Sequence, residues 1–266
     1  MLKIFLAGCT LLSLVACSTT KKTFNSMKFA DNVVVAHRGA FKKNGFPENS
    51  IASLKEAIRL NCTGSEFDVR MTADDSLIIN HDPDYNALEI EKTTYAQLAA
   101  QPLSNGEKLP TLQEYLLAGM QQDRTQLVLE IKPSGISKER GKLIADKVLA
   151  LVNKLRAAHM ITYISFDYDM LLHIKSKAPV AFLQYLNGEK SPAQLAKDGI
   201  HAADYNMAVF KANPTWIAEA KQHNIVLNAW TVNKKEDMEW LIREGFEFIT
   251  TNEPEMLLAL VTATKK

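Results

Sequence analysis

Charged side chains occur inside two hydrophobic segments of the sequence, where a buried strand normally carries none. Glu66 and Asp68 stand two positions apart in one segment, and Glu130 and Lys132 stand two positions apart in the other. Because side chains alternate along a strand, the members of each pair share a face, with roughly 6.6 Å of backbone between them. Burying a carboxylate without a partner costs a large amount of free energy. A hard divalent cation bound by Glu66, Asp68 and Glu130 would explain these charges.

Two histidines are predicted to lie near these carboxylates. His37 follows the first hydrophobic segment, and His81 follows a short segment at residues 77–80. Imidazole titrates near neutral pH, so one histidine can act as a base and the other as an acid. Arg38 can bind phosphate oxygens through its planar guanidinium group. Together these residue types favour chemistry on a phosphate group held beside a divalent cation.

The segments that carry these residues alternate with helical patterns along the chain. Eight predicted strands are each followed by a helix; the strands are residues 33–36, 66–70, 127–132, 161–165, 181–185, 201–205, 226–231 and 248–250. Such alternation predicts a parallel sheet. Eight units in roughly 240 residues fit an α/β fold of the (β/α)8 TIM-barrel type. An open, doubly wound sheet is the alternative, but no glycine-rich phosphate loop follows the first strand.

A polar, irregular stretch interrupts the alternation at residues 82–108. It predicts a small insertion after the second strand of the barrel, so a single domain would span residues 31–264. In a TIM barrel the catalytic residues come from the C-terminal ends of the strands and the loops that follow them. The charged pairs and the two histidines all occur at such positions.

The composition excludes several classes of function. The chain has 266 residues, of which 47% are hydrophobic, and a formal net charge of +1. This charge gives no basis for nucleic-acid binding, which needs a basic surface. The three cysteines cannot form a disulfide framework. No GxSxG, HExxH or CxxC motif occurs, so serine-hydrolase, zinc-protease and dithiol chemistry have no support.

The first residues have the pattern of an N-terminal segment that directs export and is then cleaved. Lys3 precedes an apolar stretch at residues 4–16, which has the length of a signal-peptide core and is too short to span a bilayer. The stretch ends in Leu14-Val15-Ala16-Cys17, which resembles the lipobox of bacterial lipoproteins, with a plain secretory signal as the alternative. Cys9 also fits the pattern, but only a few apolar residues precede it. We therefore expect a signal peptide over residues 1–17, with Cys17 as the lipid-modified first mature residue, and a tether over residues 18–30.

A set of short motifs follows in a characteristic order. These are His37-Arg38-Gly39, Pro47-Glu48-Asn49-Ser50, Glu66-Phe67-Asp68-Val69-Arg70, Asp74-Asp75, His81-Asp82, Pro110-Thr111-Leu112, Glu130-Ile131-Lys132, Ser165-Phe166, Trp230-Thr231-Val232-Asn233 and Thr250-Thr251-Asn252-Glu253-Pro254. In order and spacing the set resembles the glycerophosphodiester phosphodiesterase family. The resemblance covers roughly residues 33 to 260. Each motif alone is weak, but the ordered set is very specific.

The resemblance implies a TIM-barrel enzyme that hydrolyses small glycerophosphodiesters to glycerol 3-phosphate and an alcohol. It also implies a role for nine positions; they are His37 and His81 as catalytic residues, Glu66, Asp68 and Glu130 as ligands of one Ca²⁺ or Mg²⁺ ion, Arg38, Lys132 and Trp230 as substrate-binding residues, and Glu48 as a possible metal ligand or supporting residue. The separate resemblance to a lipobox implies Cys17 as the lipidation site. The lipid anchor would hold the exported protein on a bacterial membrane, in the periplasm or at the cell surface.

Two positions depart from the family pattern. The family often has Leu where Phe67 stands, and that side chain points away from the metal-binding face. It usually has Asp where Asn252 stands; Asn can still cap the helix near Pro254, but it supplies no charge.

Two rival functions stay open. One rival is a phospholipase, such as the phosphatidylinositol phospholipases C, which use a related barrel and paired histidines. The other is a lipoprotein that binds glycerophosphodiesters without cleaving them. The three carboxylates favour a metal-dependent enzyme over the first rival, and the complete set of motif residues argues against the second.

Overall fold

A computed structural model describes residues 29–264 of the protein. Eleven strands are formed; they are β1 (Val34–Ala36), β2 (Gly64–Met71), β3 (Leu77–Ile79), β4 (Asp84–Tyr85), β5 (Leu88–Glu89), β6 (Gln126–Ile131), β7 (Ile161–Ser165), β8 (Phe182–Tyr185), β9 (Ala202–Asn206), β10 (Val226–Trp230) and β11 (Phe248–Thr251). Eight of them, β1, β2 and β6 to β11, pair in parallel. Since β1 pairs with both β2 and β11, the sheet closes into a barrel.

Helices follow the barrel strands. They are α1 (Ile51–Arg59), α2 (Tyr95–Ala99), α3 (Leu112–Gly119), α4 (Lys138–Leu155), α5 (Tyr168–Lys177), α6 (Pro192–Asp198), α7 (Met207–Ala212), α8 (Thr215–His223), α9 (Lys235–Glu244) and α10 (Pro254–Thr264). Their apolar faces pack on the outside of the strands in one continuous hydrophobic core. No helix within residues 29–264 combines the length and the apolar composition needed to cross a bilayer.

The predicted (β/α)8 barrel with an insertion after the second strand is confirmed. The insertion runs from the end of β2 to α3, and it contains β3, the β4–β5 hairpin and α2. Strand β3 pairs antiparallel with β2, in register at Val69↔Ile79. The insertion has an apolar cluster of its own around Ile78, Ile90 and Leu98, all fully buried. This packing fixes the segment that ends β3, and His81 follows two residues after that strand.

The sequence patterns missed two helices and left the start of one helix open. Residues 82–108, expected to be irregular, contain α2 as well as the β4–β5 hairpin. The sixth unit carries two short helices, α7 and α8, where the sequence predicted only a helix over residues 214–223. Helix α7 has one fully buried side chain, Phe210, which is too little for a recognisable hydrophobic period. For α1 the sequence left Asn49 and Ser50 as alternative caps. Ser50 is the N-cap, and it forms a reciprocal capping box with Ser53.

Candidate active site

Three carboxylates converge inside the barrel near the C-terminal ends of β2 and β6. Asp68 and Glu130 are direct neighbours in the parallel register of these two strands, and Glu66 precedes Asp68 on the same face. One oxygen from each group lies within 4.8 Å of the others. All three side chains are buried. The arrangement therefore concentrates negative charge in a space the size of a metal-ion site.

Lys132 is the cation next to this group, and it pairs with two of the three carboxylates. Its Nζ atom lies 2.8 Å from Asp68 Oδ1 and 2.6 Å from Glu130 Oε1. Oε1 of Glu66 is buried and has no hydrogen-bond partner within residues 29–264. Such an atom is rare in a protein interior and calls for a ligand. Because one ammonium group does not balance three carboxylates, a hard divalent cation, which takes carboxylate oxygens, fits this donor set.

The pKa values of these groups follow from burial and crowding. Burial, together with the neighbouring Asp68 and Glu130 carboxylates, raises the pKa of Glu66 well above its usual range. Burial and the Asp68 charge also raise the pKa of Glu130. Burial alone would raise the pKa of Asp68 as well, but Lys132 outweighs it and the pKa lies below its usual value. A bound cation would relieve this repulsion and keep all three groups ionised.

Backbone and amide groups hold two of the carboxylates in position. The Arg38 backbone N–H donates to Glu66 Oε2 at 2.8 Å. The Asn49 side chain donates to Asp68 Oδ2 at 2.8 Å and accepts from the Asp68 backbone N–H at 3.1 Å. Asn49 adopts a left-handed backbone conformation, with φ of 58°, which asparagine tolerates better than most residues. The motif that precedes α1 thus orients a carboxylate of β2.

The turn after β1 depends on a glycine. Arg38 and Gly39 both have positive φ, 52° and 79°. A Cβ atom at Gly39 would lie 2.4 Å from Ser53 Oγ and 2.6 Å from the Ser53 backbone carbon, so no larger residue fits. This tight turn directs the Arg38 backbone N–H at Glu66 and places His37 beside the carboxylates.

His37 lies between a neutral amide and a carboxylate. Its Nδ1 atom is 2.7 Å from Asn252 Oδ1, and its Nε2 atom is 3.9 Å from Glu66 Oε2. With Asn252 accepting, Nδ1 carries the proton and Nε2 presents its lone pair toward the carboxylates. Burial, followed by the Arg38 charge, lowers the pKa of His37 to about 4. The imidazole is therefore neutral at pH 7.

Asn252 could have capped the last helix. Its side chain instead contacts His37, while Thr251 Oγ1 accepts the Glu253 backbone N–H.

His81 lies at the more open side of the same site. Its Nδ1 atom is 2.7 Å from Asp82 Oδ1, and its side chain is 33% exposed. The guanidinium of Arg70, on β2, donates to the His81 carbonyl oxygen at 2.9 and 2.7 Å. Arg70 is thus committed to holding the His81 backbone rather than to neutralising the nearby carboxylates.

Glu48 lies at the edge of the site and contacts Arg38. Its Oε1 atom accepts from Arg38 Nη1 at 2.8 Å, and Arg38 Nε lies 3.7 Å from Asp68 Oδ2. Glu48 is not one of the three carboxylates that cluster within residues 29–264. In this geometry it supports the guanidinium, and the guanidinium faces the carboxylate group.

One open cavity of about 470 Å³ brings the predicted residues together. Its lining comprises His37, Arg38, Glu66, His81, Glu130, Lys132, Ile164, Phe166, Leu186, Asp204, Trp230, Thr231 and Thr250. One side of the cavity is charged and the other is largely apolar. On the apolar side Trp230 meets Phe166 edge to face, with ring centroids 5.4 Å apart. Such a cavity suits a ligand with a charged group and a small organic part.

The sequence named most of this lining but missed four supporting side chains. Asn49, Arg70 and Asn252 belong to motifs that the sequence presented, yet none was assigned a role in orienting the site. Asp204 in β9 was not singled out, although a lone Asp in a predicted buried strand is the same signal that identified Glu66 and Asp68. The expected lipidation site, Cys17, lies outside the described residues.

Comparison with known proteins identifies the family that shares this arrangement. A model of the family described as glycerophosphoryl diester phosphodiesterase matches residues 37–256. This chain belongs to that family. It is 33% identical over 248 residues to a glycerophosphodiester phosphodiesterase of Caldanaerobacter subterraneus subsp. tengcongensis, covering 86% of this chain and 97% of the relative. The chain is thus a phosphodiesterase of this family.

Solved structures share the fold over almost the whole chain. A crystal structure of a glycerophosphodiester phosphodiesterase from Parabacteroides distasonis aligns with a TM-score of 0.86 at 36% identity, covering 90% of this chain and all of that one. A phosphodiesterase of Oleispira antarctica, solved in complex with the product sn-glycerol-3-phosphate, aligns with a TM-score of 0.75 at 21% identity, covering 90% and 99%. At that identity the second similarity supports the fold alone.

Proposed function

We propose that this phosphodiesterase hydrolyses glycerophosphodiesters to glycerol 3-phosphate and an alcohol, with one divalent cation and two histidines. The observation that carries this proposal is the cluster of three buried carboxylates, Glu66, Asp68 and Glu130, two of which, Glu66 and Glu130, line one cavity with His37 and His81. The curated relative of 33% identity is named for this activity. Both lines of support lead to the same reaction.

The donor set favours Ca²⁺ or Mg²⁺ as the cation. All three side chains offer carboxylate oxygen, and the cluster contains neither histidine nor cysteine. Hard cations prefer such ligands, whereas zinc sites usually include nitrogen or sulfur. When bound, the cation supplies Lewis-acid stabilisation of the negative charge on the phosphate.

His37 is suited to act as the base. The Asn252 amide oxygen fixes the proton on Nδ1, so Nε2 is free to accept a proton from an attacking hydroxyl group. The Asn252 hydrogen bond raises the pKa of His37, but burial and the Arg38 charge outweigh it, so the ring stays neutral before the reaction. Arg38, the adjacent residue, opposes a second proton on His37 as well.

His81 is suited to act as the acid. Its Nδ1 partner is the Asp82 carboxylate at 2.7 Å, which orients the ring. A proton on Nε2 can then be donated to the departing alkoxide of the alcohol. The greater exposure of His81 fits this role, because the alcohol must leave through the open side of the cavity.

Arg38 and Lys132 supply the fixed positive charge of the site. Burial alone would lower the pKa of Lys132, but Asp68 and Glu130 outweigh it and raise the pKa, so the ammonium stays charged. Both side chains line the cavity. They can bind phosphate oxygens and stabilise the charge that builds up on them as the ester bond breaks.

The substrate proposal is tested against the rival phospholipase reaction. Purified protein is given glycerophosphocholine, glycerophosphoethanolamine and glycerophosphoinositol, and separately the matching diacyl lipids in vesicles. We expect higher kcat/KM for the small diesters, since residues 82–108 are largely polar and carry no exposed large hydrophobic side chain that could insert into a membrane. Equal or faster cleavage of the diacyl lipids would establish a phospholipase, and no cleavage of any compound would favour a binding protein.

We further propose that the protein is exported and anchored to a bacterial membrane by a lipid on Cys17. The support is the sequence alone: Leu14-Val15-Ala16-Cys17 closes an apolar stretch of signal-peptide length. Mass spectrometry of the mature protein should identify a lipid-modified Cys17 at its N-terminus. An unmodified N-terminus, or cleavage at another position, would contradict this proposal.

A further inference from the structure

A further carboxyl group lines the cavity and is not used by the proposed reaction. Asp204 is the third of the five residues of β9, and its side chain is 1% exposed. Its Oδ1 atom has no hydrogen-bond partner within residues 29–264. Burial, and secondarily the Glu130 charge, raise the pKa of Asp204 well above its usual range. A buried carboxyl oxygen that lacks a partner and lines a cavity calls for a hydrogen-bond donor from a ligand.

The surroundings of Asp204 hold it rigidly. The Asn228 side chain bonds to its carboxyl group, and Asn228 also accepts from Thr250 Oγ1 at 3.2 Å. The indole N–H of Trp230 donates to the Asp204 backbone oxygen at 2.8 Å. Ligand specificity commonly depends on fixed, buried polar atoms that face the binding cavity. Such an atom forms a hydrogen bond only when a ligand with a matching group binds.

We propose that Asp204 binds a hydroxyl group of the glycerol unit of the substrate. This inference rests on the proposed cleavage of glycerophosphodiesters. The unpartnered Oδ1 atom of Asp204 can accept a hydrogen bond from an alcohol hydroxyl that enters the cavity. Asp204 would then be a substrate-positioning residue.

Its depth in the barrel favours the glycerol unit over the departing alcohol. Asp204 pairs in register with Asn228, in the middle of β10, whereas Trp230 pairs with Asn206 at the strand end. His37 and His81 lie beyond the ends of their strands, nearer the open mouth. The alcohol must leave through that mouth. We therefore place the glycerol unit, which stays bonded to the phosphate, in the deeper position.

The test compares two 4-nitrophenyl phosphodiesters that differ only in their other ester group, glycerol in one and 1-propyl in the other. The wild-type enzyme should prefer the glycerol ester. In Asp204→Leu the ratio of the two kcat/KM values should fall at least about tenfold, the loss expected when a buried hydrogen bond is removed. Asp204→Asn, which can still donate and accept, should keep a larger part of the preference.

Thr162→Val is the matched control. Thr162 is also buried in a barrel strand with a hydroxyl that has no partner among residues 29–264, but it is not part of the cavity lining. The preference should be unchanged in this variant. A preference that survives in Asp204→Leu, with the fold verified by circular dichroism, would overturn the inference.

Two further outcomes separate this inference from the proposed function. If the wild-type enzyme cleaves neither ester nor glycerophosphocholine, the proposed function fails. If Asp204→Leu instead changes the ratio of glycerophosphocholine to glycerophosphoglycerol cleavage and leaves the glycerol-to-propyl ratio intact, Asp204 faces the departing alcohol and the inference is wrong.

Discussion

His37 Nδ1 and Asn252 Oδ1 lie 2.7 Å apart, although 215 positions separate the two residues in the sequence. The contact joins the turns after β1 and β11, the strands whose pairing closes the barrel. It fixes which ring nitrogen of His37 carries the proton, and it does so with a neutral amide. The pair of strands that closes the barrel, β1 and β11, therefore also determines which ring nitrogen of His37 is protonated.

Replacing Asn252 should change turnover more than substrate binding. Asn252→Leu removes the acceptor that fixes the tautomer, so kcat should fall by about tenfold to a hundredfold, the scale of a mispositioned base, with little change in KM. Asn252→Asp retains an acceptor and should recover most of the activity. Steady-state kinetics on glycerophosphocholine measure both variants. Equal losses of kcat in Leu and Asp variants would contradict a positioning role.

The two histidines should behave as a unit. His37→Ala and His81→Ala should each lower kcat by at least about a hundredfold. The double variant should lose less than the product of the two single losses, because neither residue completes the reaction alone. Both side chains are at the mouth of the barrel, so thermal unfolding should shift little. Near-normal turnover in either single variant would remove that histidine from the mechanism.

The fold and the charged half of the site could be predicted because both depend on local patterns. Strands alternate with helices along the chain, and Glu66, Asp68 and Glu130 stand out as carboxylates within buried strands. Parallel pairing then brings Asp68 beside Glu130 without further information. The order of the motifs supplied the pairing of His37 with His81.

The remaining contacts could not be predicted, because they depend on how distant turns meet. Asn49 reaches Asp68 only because its own backbone is left-handed. Asn252 resembles a helix cap in sequence, and only closure of the barrel reveals that it faces His37. Asp204 is a carboxylate in a buried strand, as Glu66 and Asp68 are, but only the structure shows that its face of β9 points into the cavity.

Lys132 should be essential to stability in the absence of a cation. Lys132→Met leaves Asp68 and Glu130 buried without their ammonium partner, which should lower the free energy of unfolding by about 3–5 kcal/mol. Urea unfolding in chelator measures this loss, and added Ca²⁺ or Mg²⁺ should recover part of it. Lys138→Met is the control, because solvent screens the Lys138–Asp169 pair, 71% and 58% exposed, so its loss should have far less effect on the free energy of unfolding. Equal effects of the two substitutions would refute the prediction.

His201 should make the fold sensitive to acid. The Leu183 backbone N–H donates to His201 Nδ1 at 3.1 Å, and burial lowers the pKa of His201 from 6.5 to about 4. Because the unfolded chain binds this proton first, stability should fall as the pH drops from about 6.5 to 4. The slope contributed by one such proton is at most about 1.4 kcal/mol per pH unit.

The variant His201→Asn keeps an acceptor for Leu183 but does not titrate. Chemical unfolding at several pH values should therefore give a shallower pH dependence for His201→Asn than for the wild type. The exposed His223, replaced in the same way, should leave the dependence unchanged. An identical slope in His201→Asn and wild type would show that His201 does not cause the acid sensitivity.

The central claim is that Glu66, Asp68 and Glu130 bind a divalent cation on which glycerophosphodiester hydrolysis depends. The most direct test is the release of glycerol 3-phosphate from glycerophosphocholine by the purified enzyme, before and after exhaustive chelation and after addition of Ca²⁺ or Mg²⁺. Chelation should lower the rate at least about a hundredfold, since charge stabilisation by the cation contributes several kcal/mol, and one of the two cations should restore it. Full activity in chelator would contradict the claim.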